Sequence, residues 1–268
     1  VNNSFLAVCL DNMQKIAQIL GKPEDEKIYA AQKEQLQQKI HETYFQESSN
    51  TYGTGTQIDL AFPMIAGVVP EDKREDVKKS FFNETENIRN GHFACGLVGL
   101  PVITEWAVKN QAADLMYSMM KKRDYPGYLY MIDNGATTTW EHWNGDRSHI
   151  HNCYNGTGSW FYQAMGGILP DENVPAYRKV LIQPQIPEGV TWAKTFKETP
   201  FGKLSVNWEL KGKTMQLDVE IPVGIDVGVV IPSGVKKYQL DGKEKDFSGE
   251  KLSVVALKSG KYKIEYTL

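Results

Sequence analysis

The stretch LSVNWELKGKTMQLDVEI, residues 204–221, predicts two β-strands joined by a tight turn. Apolar and polar side chains alternate over residues 204–210 and again over residues 215–221, as in strands with one buried face. Gly212 lies between them and supplies the flexible residue that tight hairpins need. This hairpin pattern indicates that the second half of the chain is built from β-strands.

More short strands follow toward the C-terminus. They alternate or are β-branched, and turn residues such as Asp241-Gly242 separate them. The predicted strands cover residues 227–231, 236–240, 252–257 and 262–268. We therefore predict an antiparallel β-sandwich over residues 176–268.

Residues 1–175 have helical periodicity instead. Leu6, Leu10, Met13 and Ile16 fall on one stripe of a first helix, and Pro23 marks the first turn of a second. The later predicted helices cover residues 59–68, 70–90, 97–109, 110–122 and 158–168. Repeated antiparallel helix pairs favour part of a helical toroid or barrel, so the predicted fold is an α+β multidomain chain.

Composition excludes several classes of protein. The chain has 268 residues, a net charge of -3 and 41% hydrophobic residues, which predicts a globular fold. No apolar run approaches the ~20 residues of a membrane span, and no basic cluster suits nucleic acid. The three cysteines are widely spaced, which argues against a disulfide framework. We therefore expect neither a nucleic-acid nor a membrane partner.

The first residues, Val1-Asn2-Asn3-Ser4, include neither an initiator methionine nor the start of a signal peptide. Because helical periodicity begins almost at once, we expect the chain to be a fragment of a longer polypeptide.

The richest chemistry lies in a predicted long loop, residues 125–158. It holds two tryptophans, four tyrosines and three histidines among carboxylates and amides. Flat aromatic rings beside such groups suit a sugar, which offers C–H faces for stacking and hydroxyls for hydrogen bonding. The loop is therefore the predicted binding site.

Glu141 is the candidate catalytic residue because it lies between Trp140 and Trp143 in sequence. Partial desolvation by indole rings favours a carboxylate that accepts a proton from water. The alternative from residue type alone is a surface acid or a loop anchor bonded to backbone amides.

Two other chemistries are disfavoured. His149, His151 and Asp146 suggest a metal site, but no further ligand follows with zinc-like spacing, so no metal is predicted. A serine nucleophile is not expected, since the chain has no GxSxG motif.

The loop and its surroundings resemble the C-terminal part of bacterial α-L-rhamnosidases, which are inverting glycoside hydrolases. The resemblance covers roughly the whole chain, and its motifs occur in the family's order. These motifs are GTGTQ at 53–57, GHFACG at 91–96, DYP at 124–126, DNGATTTWEHW at 133–143, His151 before WFY at 160–162, and IQP at 182–184.

The resemblance implies a barrel of two concentric rings of six helices, of which residues 1–175 supply the later part. It implies that Glu141 is the general base, and that Trp140, Trp143, His151 and Tyr128 bind rhamnose. It also implies a rhamnose-containing oligosaccharide or glycoside as substrate, no cofactor, the upstream half of the barrel as partner, and a periplasmic or secreted location.

The general acid of the resembled family lies upstream of the first helix of this chain. Asp59, Asp133 and Asp146 are substitutes without matching context. We therefore predict that the full-length protein is a rhamnosidase and that the isolated chain is inactive. Asn155 and Gly156 after His151, and the short stretch between Glu141 and His151, depart from the family pattern.

Three alternatives stay open. The chain could belong to another helical-toroid glycosidase or lyase, or to a non-catalytic carbohydrate-binding protein. The sandwich, whose aromatic residues cluster near one end, is more simply a structural cap than a sugar-binding domain.

Overall fold

The computed structural model describes residues 1–246 and 253–268, so residue 252 of a predicted strand lies outside the described part. The chain divides into two compact units. The first contains residues 1–110 and 115–157, and the second contains residues 111–114 and 158–268.

The first unit is helical, apart from one small hairpin. Within the described residues its helices are α1 (Asn2–Ile19), α2 (Pro23–Tyr44), α3 (Gln57–Ile65), α4 (Arg74–Asn83), α5 (Gly99–Lys109), α6 (Ala113–Met120) and α7 (Tyr128–Asp133). The first two residues of α6 belong to the second unit. Strands β1 (Phe45–Gln46) and β2 (Thr51–Tyr52) form the hairpin after α2.

Local sequence explains where several helices begin. Pro23 opens α2, and Glu24, Asp25 and Glu26 follow it at the positive end of the helix dipole. Thr56 caps α3 because its side chain accepts a hydrogen bond from the Asp59 backbone N–H.

Aromatic and aliphatic side chains from α3, α4 and α5 form the buried centre of this unit. The Trp106 indole is fully buried, and its ring centroid lies 3.8 Å from that of Phe81. Its N–H contacts the sulfur of Met64 at 3.0 Å. Trp106 of α5 therefore links this helix to α3 and α4.

The second unit is a sandwich of two sheets preceded by a short helical segment. This segment is α8 (Gly158–Trp160), and a π-helical turn, Phe161–Met165, continues it. The strands are β3 (Ile168–Pro170), β4 (Lys179–Ile182), β5 (Trp192–Thr199), β6 (Gly202–Lys211), β7 (Thr214–Ile221), β8 (Asp226–Ile231), β9 (Lys237–Leu240), β10 (Lys243–Asp246), β11 (Ser253–Leu257) and β12 (Gly260–Thr267).

The six-stranded sheet has the order β10-β9-β12-β7-β6-β5, and the four-stranded sheet has the order β11-β8-β4-β3. The predicted hairpin of residues 204–221 is present as β6 and β7, with Lys211 paired to Thr214. Apolar side chains of both sheets, including Val206, Leu217 and Val229, form one buried core. The predicted fold class, a helical region followed by a β-sandwich, is confirmed.

The structure differs from the sequence prediction in several places, and strands β1 to β5 and β10 were not predicted. The loop of residues 125–158 contains the short helix α7. The predicted helix 158–168 ends at Met165, and its last residue, Ile168, begins β3. The described sandwich strands pair antiparallel except for β4 and β8, which are parallel.

Gly167 ends the helical segment before β3, and it carries a testable prediction. Its φ is +70°, and a Cβ atom there would lie 2.3 Å from the backbone nitrogen of Pro184. Since backbone cannot move aside cheaply, Gly167→Ala should lower the free energy of unfolding by about 3 kcal/mol or more. Urea denaturation would measure this loss.

Gly212→Ala is the matched control, because Gly212 has a φ of +62° and no atom within 4 Å of a Cβ. It should cost only about 1 kcal/mol, the strain of a left-handed alanine. Equal losses in the two variants would show that the close approach to Pro184 is unimportant.

None of the helices in the described ranges is long and apolar enough to cross a membrane.

Candidate active site

The loop of residues 125–158, which is the predicted binding site, folds back on itself around Glu141. The Glu141 N–H donates to the Ser148 carbonyl at 2.8 Å, and the His151 N–H donates to the Thr139 carbonyl at 2.9 Å. The Thr138 hydroxyl also donates to the His149 carbonyl at 2.7 Å. This pairing holds the candidate base and the candidate sugar-binding histidine on two adjacent segments.

Glu141 is a half-buried residue, and one hydrogen bond orients its carboxylate. Its Oε2 accepts from the Ser148 N–H at 3.3 Å. Over residues 1–246 and 253–268 no other hydrogen bond and no ion pair reaches this carboxylate. The carboxylate therefore keeps lone pairs that can accept a proton from water. An arginine partner would occupy these lone pairs.

Trp140 precedes the candidate base and is 5% exposed. Its ring stacks on that of His149, with centroids 4.8 Å apart and an interplanar angle of 22°. The His149 ring contacts the Gly145 carbonyl through Nε2 at 2.8 Å, so this nitrogen carries the proton. His149 thus supports Trp140, as expected of a loop hydrogen-bond donor.

Trp143 and Tyr128 lie in a cluster of aromatic rings. Trp143 is 8% exposed and stacks on Tyr154, with centroids 3.8 Å apart. Tyr128 meets Trp143 edge to face at 5.2 Å and donates from its hydroxyl to the Tyr154 carbonyl at 2.5 Å. Burial raises the pKa of Tyr128 well above its ordinary value. Both residues support the loop here, and their contact with sugar stays a prediction.

His151 presents a nitrogen that a ligand could use. Its Nδ1 accepts from the Cys153 N–H at 3.0 Å, so in the neutral ring the proton lies on Nε2. This Nε2–H has no partner within the described part of the chain. It can donate to a sugar hydroxyl, and sugar binding by His151 stays a prediction.

The three substitute acids are already engaged. Asp59 accepts from the backbone and hydroxyl of Thr54 and from the hydroxyl of Thr56. Asp133 accepts from Arg123 at 2.5 and 2.7 Å. Asp146 accepts from the Asn144 amide at 2.7 Å. Each carboxylate stabilises its own loop, and none is presented as a free proton donor.

Gln57 is a residue whose role the sequence analysis did not identify. It is completely buried, donates to the His92 carbonyl at 2.9 Å, and accepts from the Ala94 N–H at 2.8 Å. A buried glutamine with a satisfied side chain fixes the two segments that it joins. It therefore connects the GTGTQ and GHFACG motifs. The spacing of these motifs in the sequence does not reveal that they are in contact.

His92 joins the DYP motif, residues 124–126, to the GTGTQ and GHFACG motifs. Its Nδ1 donates to the Pro126 carbonyl at 2.7 Å, and its Nε2 lies 3.1 Å from the Asp124 carboxylate. A backbone hydrogen bond within Asp124 and the neighbouring His92 hold the pKa of the Asp124 carboxyl below its usual range. His92 is thus a buried structural hydrogen-bond donor.

Potential metal ligands do not converge in the described ranges. No group of three or more histidine, cysteine, aspartate or glutamate side chains there could hold a metal ion.

Cys95 lies near the aromatic cluster, and burial raises the pKa of its thiol to about 12. Because the thiolate is the reactive form, iodoacetamide at pH 8 should modify Cys95 at least about 100-fold more slowly than an ordinary thiol. Peptide mass spectrometry over time would measure the rate. Exposed Cys9 is the internal control, and equal rates at the two residues would contradict the desolvation of the Cys95 thiol.

Comparison with known proteins identifies relatives over most of the chain. Residues 1–165 match the family model of the bacterial alpha-L-rhamnosidase 6 hairpin glycosidase domain, and residues 167–246 match that of the bacterial alpha-L-rhamnosidase C-terminal domain. The predicted boundary between residues 175 and 176 stays a prediction.

Curated relatives include an alpha-L-rhamnosidase of Formosa agariphila, 26% identical over 98% of this chain and 29% of the relative. Another, from an Alteromonas species, is 26% identical over 87% of this chain and 26% of the relative. The chain therefore spans less than a third of these relatives.

Solved structures share the fold. The Streptomyces avermitilis alpha-L-rhamnosidase complexed with L-rhamnose has a TM-score of 0.88 and 22% identity, covering 98% of this chain and 26% of that one. The enzyme from Dictyoglumus thermophilum has a TM-score of 0.86 and 23% identity, covering 95% and 30%. At these identities the likeness establishes the fold alone.

Proposed function

The chain belongs to the bacterial α-L-rhamnosidase family, and from this membership we infer that it supplies the general base of an enzyme that releases terminal α-L-rhamnosyl residues with inversion. The substrate is a rhamnose-containing oligosaccharide or glycoside. The observation that carries the proposal is the carboxylate of the half-buried residue Glu141, which one backbone N–H orients and which no cation in the described residues neutralises.

In this mechanism Glu141 removes a proton from a water molecule as the water attacks the anomeric carbon. An inverting enzyme needs space for this water, so its two carboxyl groups lie about 6.5 to 9.5 Å apart. The general acid protonates the departing oxygen on the opposite side. Because Asp59, Asp133 and Asp146 are engaged locally, we propose that a part of the full-length polypeptide outside these 268 residues supplies the acid.

His151 and Trp140 are the main proposed sugar contacts. The Nε2–H of His151 suits a ring hydroxyl, since its other nitrogen is held by the Cys153 N–H. Trp140 is 5% exposed, and its indole ring stacks on the His149 ring. Trp143 and Tyr128 act mainly by holding the loop, and a direct contact with rhamnose is a secondary role.

The surface of α1 supports a partner from the rest of the barrel. Leu6 and Met13 of α1 and its C-cap residue Leu20 are 51%, 39% and 63% exposed, and their seven-residue spacing places them on one side of the helix. Contiguous exposed apolar residues mark surfaces that another element covers. We propose that upstream helices of the full-length polypeptide cover this face and complete the pocket.

Assay of p-nitrophenyl α-L-rhamnoside hydrolysis tests the proposal. The full-length polypeptide should release p-nitrophenol, whereas the purified 268-residue chain should be inactive because it lacks the acid and part of the pocket. Absence of activity in the full-length polypeptide would contradict the proposed reaction. Robust release by the isolated chain, abolished by Glu141→Gln, would contradict the inference that the acid lies elsewhere.

A further inference from the structure

The outer face of the six-stranded sheet carries an organised set of side chains that the proposed reaction does not use. In an antiparallel sheet, directly paired residues point to the same face, so the strand register defines rows across it. Leu204, Val206 and Trp208 of β6 point into the core, which places their neighbours on the outer face.

Two rows begin at edge strand β5 with an aromatic residue, and a row of polar residues lies between them. The first is Trp192, Glu209, Gln216, Glu265 and Gln239. The middle row is Lys194, Asn207, Asp218 and Lys263. The third is Phe196, Ser205, Glu220 and Lys261.

The aromatic residues are open to ligands. Trp192 is 61% exposed and Phe196 is 52% exposed. The Trp192 indole has no hydrogen-bond or ring partner among the described residues, whereas the Lys203 ammonium already lies 4.5 Å from the Phe196 ring centroid. Trp192 is therefore the better platform for stacking.

Residues of the middle and third rows border a cavity on the same face, which neither Trp192 nor Phe196 lines. The cavity of about 540 Å³ is lined by Asn207, Asp218 and residues of β12, including Lys263. This volume falls within the range of small-molecule sites. Asp218 has no side-chain partner in the described ranges, so its carboxylate can accept hydrogen bonds from a ligand.

The charge of the face favours an uncharged ligand. The three rows and the adjacent pair Glu198 and Lys203 contain nearly equal numbers of positively and negatively charged side chains. The lysines are Lys194, Lys203, Lys261 and Lys263, and the carboxylates are Glu198, Glu209, Asp218, Glu220 and Glu265. A polyanion such as nucleic acid or an acidic membrane surface would meet no net attraction here.

We propose that this face is a second carbohydrate-binding site, at which an uncharged glycan chain stacks a sugar ring on Trp192 and hydrogen-bonds to Asn207 and Asp218. Stacking on the C–H face of a sugar uses the exposed indole, and hydroxyls use the amide and carboxylate. The site holds polymer but performs no chemistry. It gives the sandwich a function beyond that of the predicted structural cap.

Affinity electrophoresis of the 268-residue chain tests this site. Native gels would contain galactan, arabinan, xyloglucan or mixed-linkage β-glucan, with a gel lacking polysaccharide as reference. At least one polymer should retard the chain, and Trp192→Ala should weaken that binding about tenfold. Asp218→Ala should also weaken it, while Val223→Ala, at an exposed position of the same unit, should bind normally.

Circular dichroism would verify that each variant is folded. Glu141→Gln should be retarded like the unmodified chain, which separates this site from the proposed active site. The proposal is overturned if no polymer retards the chain, or if Trp192→Ala and Asp218→Ala bind as well as Val223→Ala. Loss of retardation in Glu141→Gln would assign the binding to the loop instead.

Discussion

Glu141→Gln in the full-length polypeptide is expected to lower kcat for rhamnoside hydrolysis by about 100-fold to 10,000-fold. An amide has the shape of the carboxylate but cannot take a proton from water. Its oxygen can still accept from the Ser148 N–H, so the loop should keep its structure. KM should change little, because Glu141 acts on water rather than on the sugar. Initial rates with an aryl rhamnoside would measure both constants.

Glu105→Gln is the matched control. Glu105 lies on α5 and pairs with Lys109 at 2.9 Å on an exposed surface. Because such pairs contribute little, this variant should retain full activity. A similar loss in both variants would point to a general effect of charge. A Glu141→Gln enzyme with normal kcat and altered affinity would favour a carbohydrate-binding role for Glu141.

Trp106→Ala should cause the largest loss of stability, about 3–5 kcal/mol. The fully buried indole packs on Phe81 and contacts the Met64 sulfur, so its removal leaves a cavity between α3, α4 and α5. The surrounding helices can close such a space only in part. Chemical denaturation, followed by circular dichroism of the helical signal, would measure the change.

Trp192→Ala provides the same substitution at an exposed position, and its effect should stay within about 0.5 kcal/mol. The contrast between the two tryptophans isolates the contribution of burial. A loss below about 1 kcal/mol for Trp106→Ala would mean that the helices do not depend on this contact.

The sandwich could be predicted because its signals are local. The hairpin of β6 and β7 needs only alternation over residues 202–221 and a glycine turn, and both are visible in the sequence. The end of the helical segment at Met165 was harder to predict. Ile168 and its apolar neighbours fit a helix or a strand, and only pairing with β4 decides between them.

The site could be predicted in composition but not in arrangement. Residue types indicated Glu141 and His151, but the pairing of their segments arises when the loop closes through Ser148 and Thr139. The buried side chain of Gln57 joins motifs 35 residues apart, a contact that a single sequence does not reveal. α7 was missed because a six-residue helix within a polar and aromatic loop has too little periodicity to detect.

Chemical rescue of Glu141→Ala in the full-length polypeptide would test the role of Glu141 most directly. Azide is a nucleophile that needs no proton acceptor, and the shortened side chain leaves room for it beside the anomeric carbon. The variant should be nearly inactive in water and should recover with azide, with β-L-rhamnosyl azide as the NMR-identified product and no gain in the unmodified enzyme. Failure of azide to restore the rate, or formation of the α-azide, would contradict a base at Glu141 in an inverting reaction.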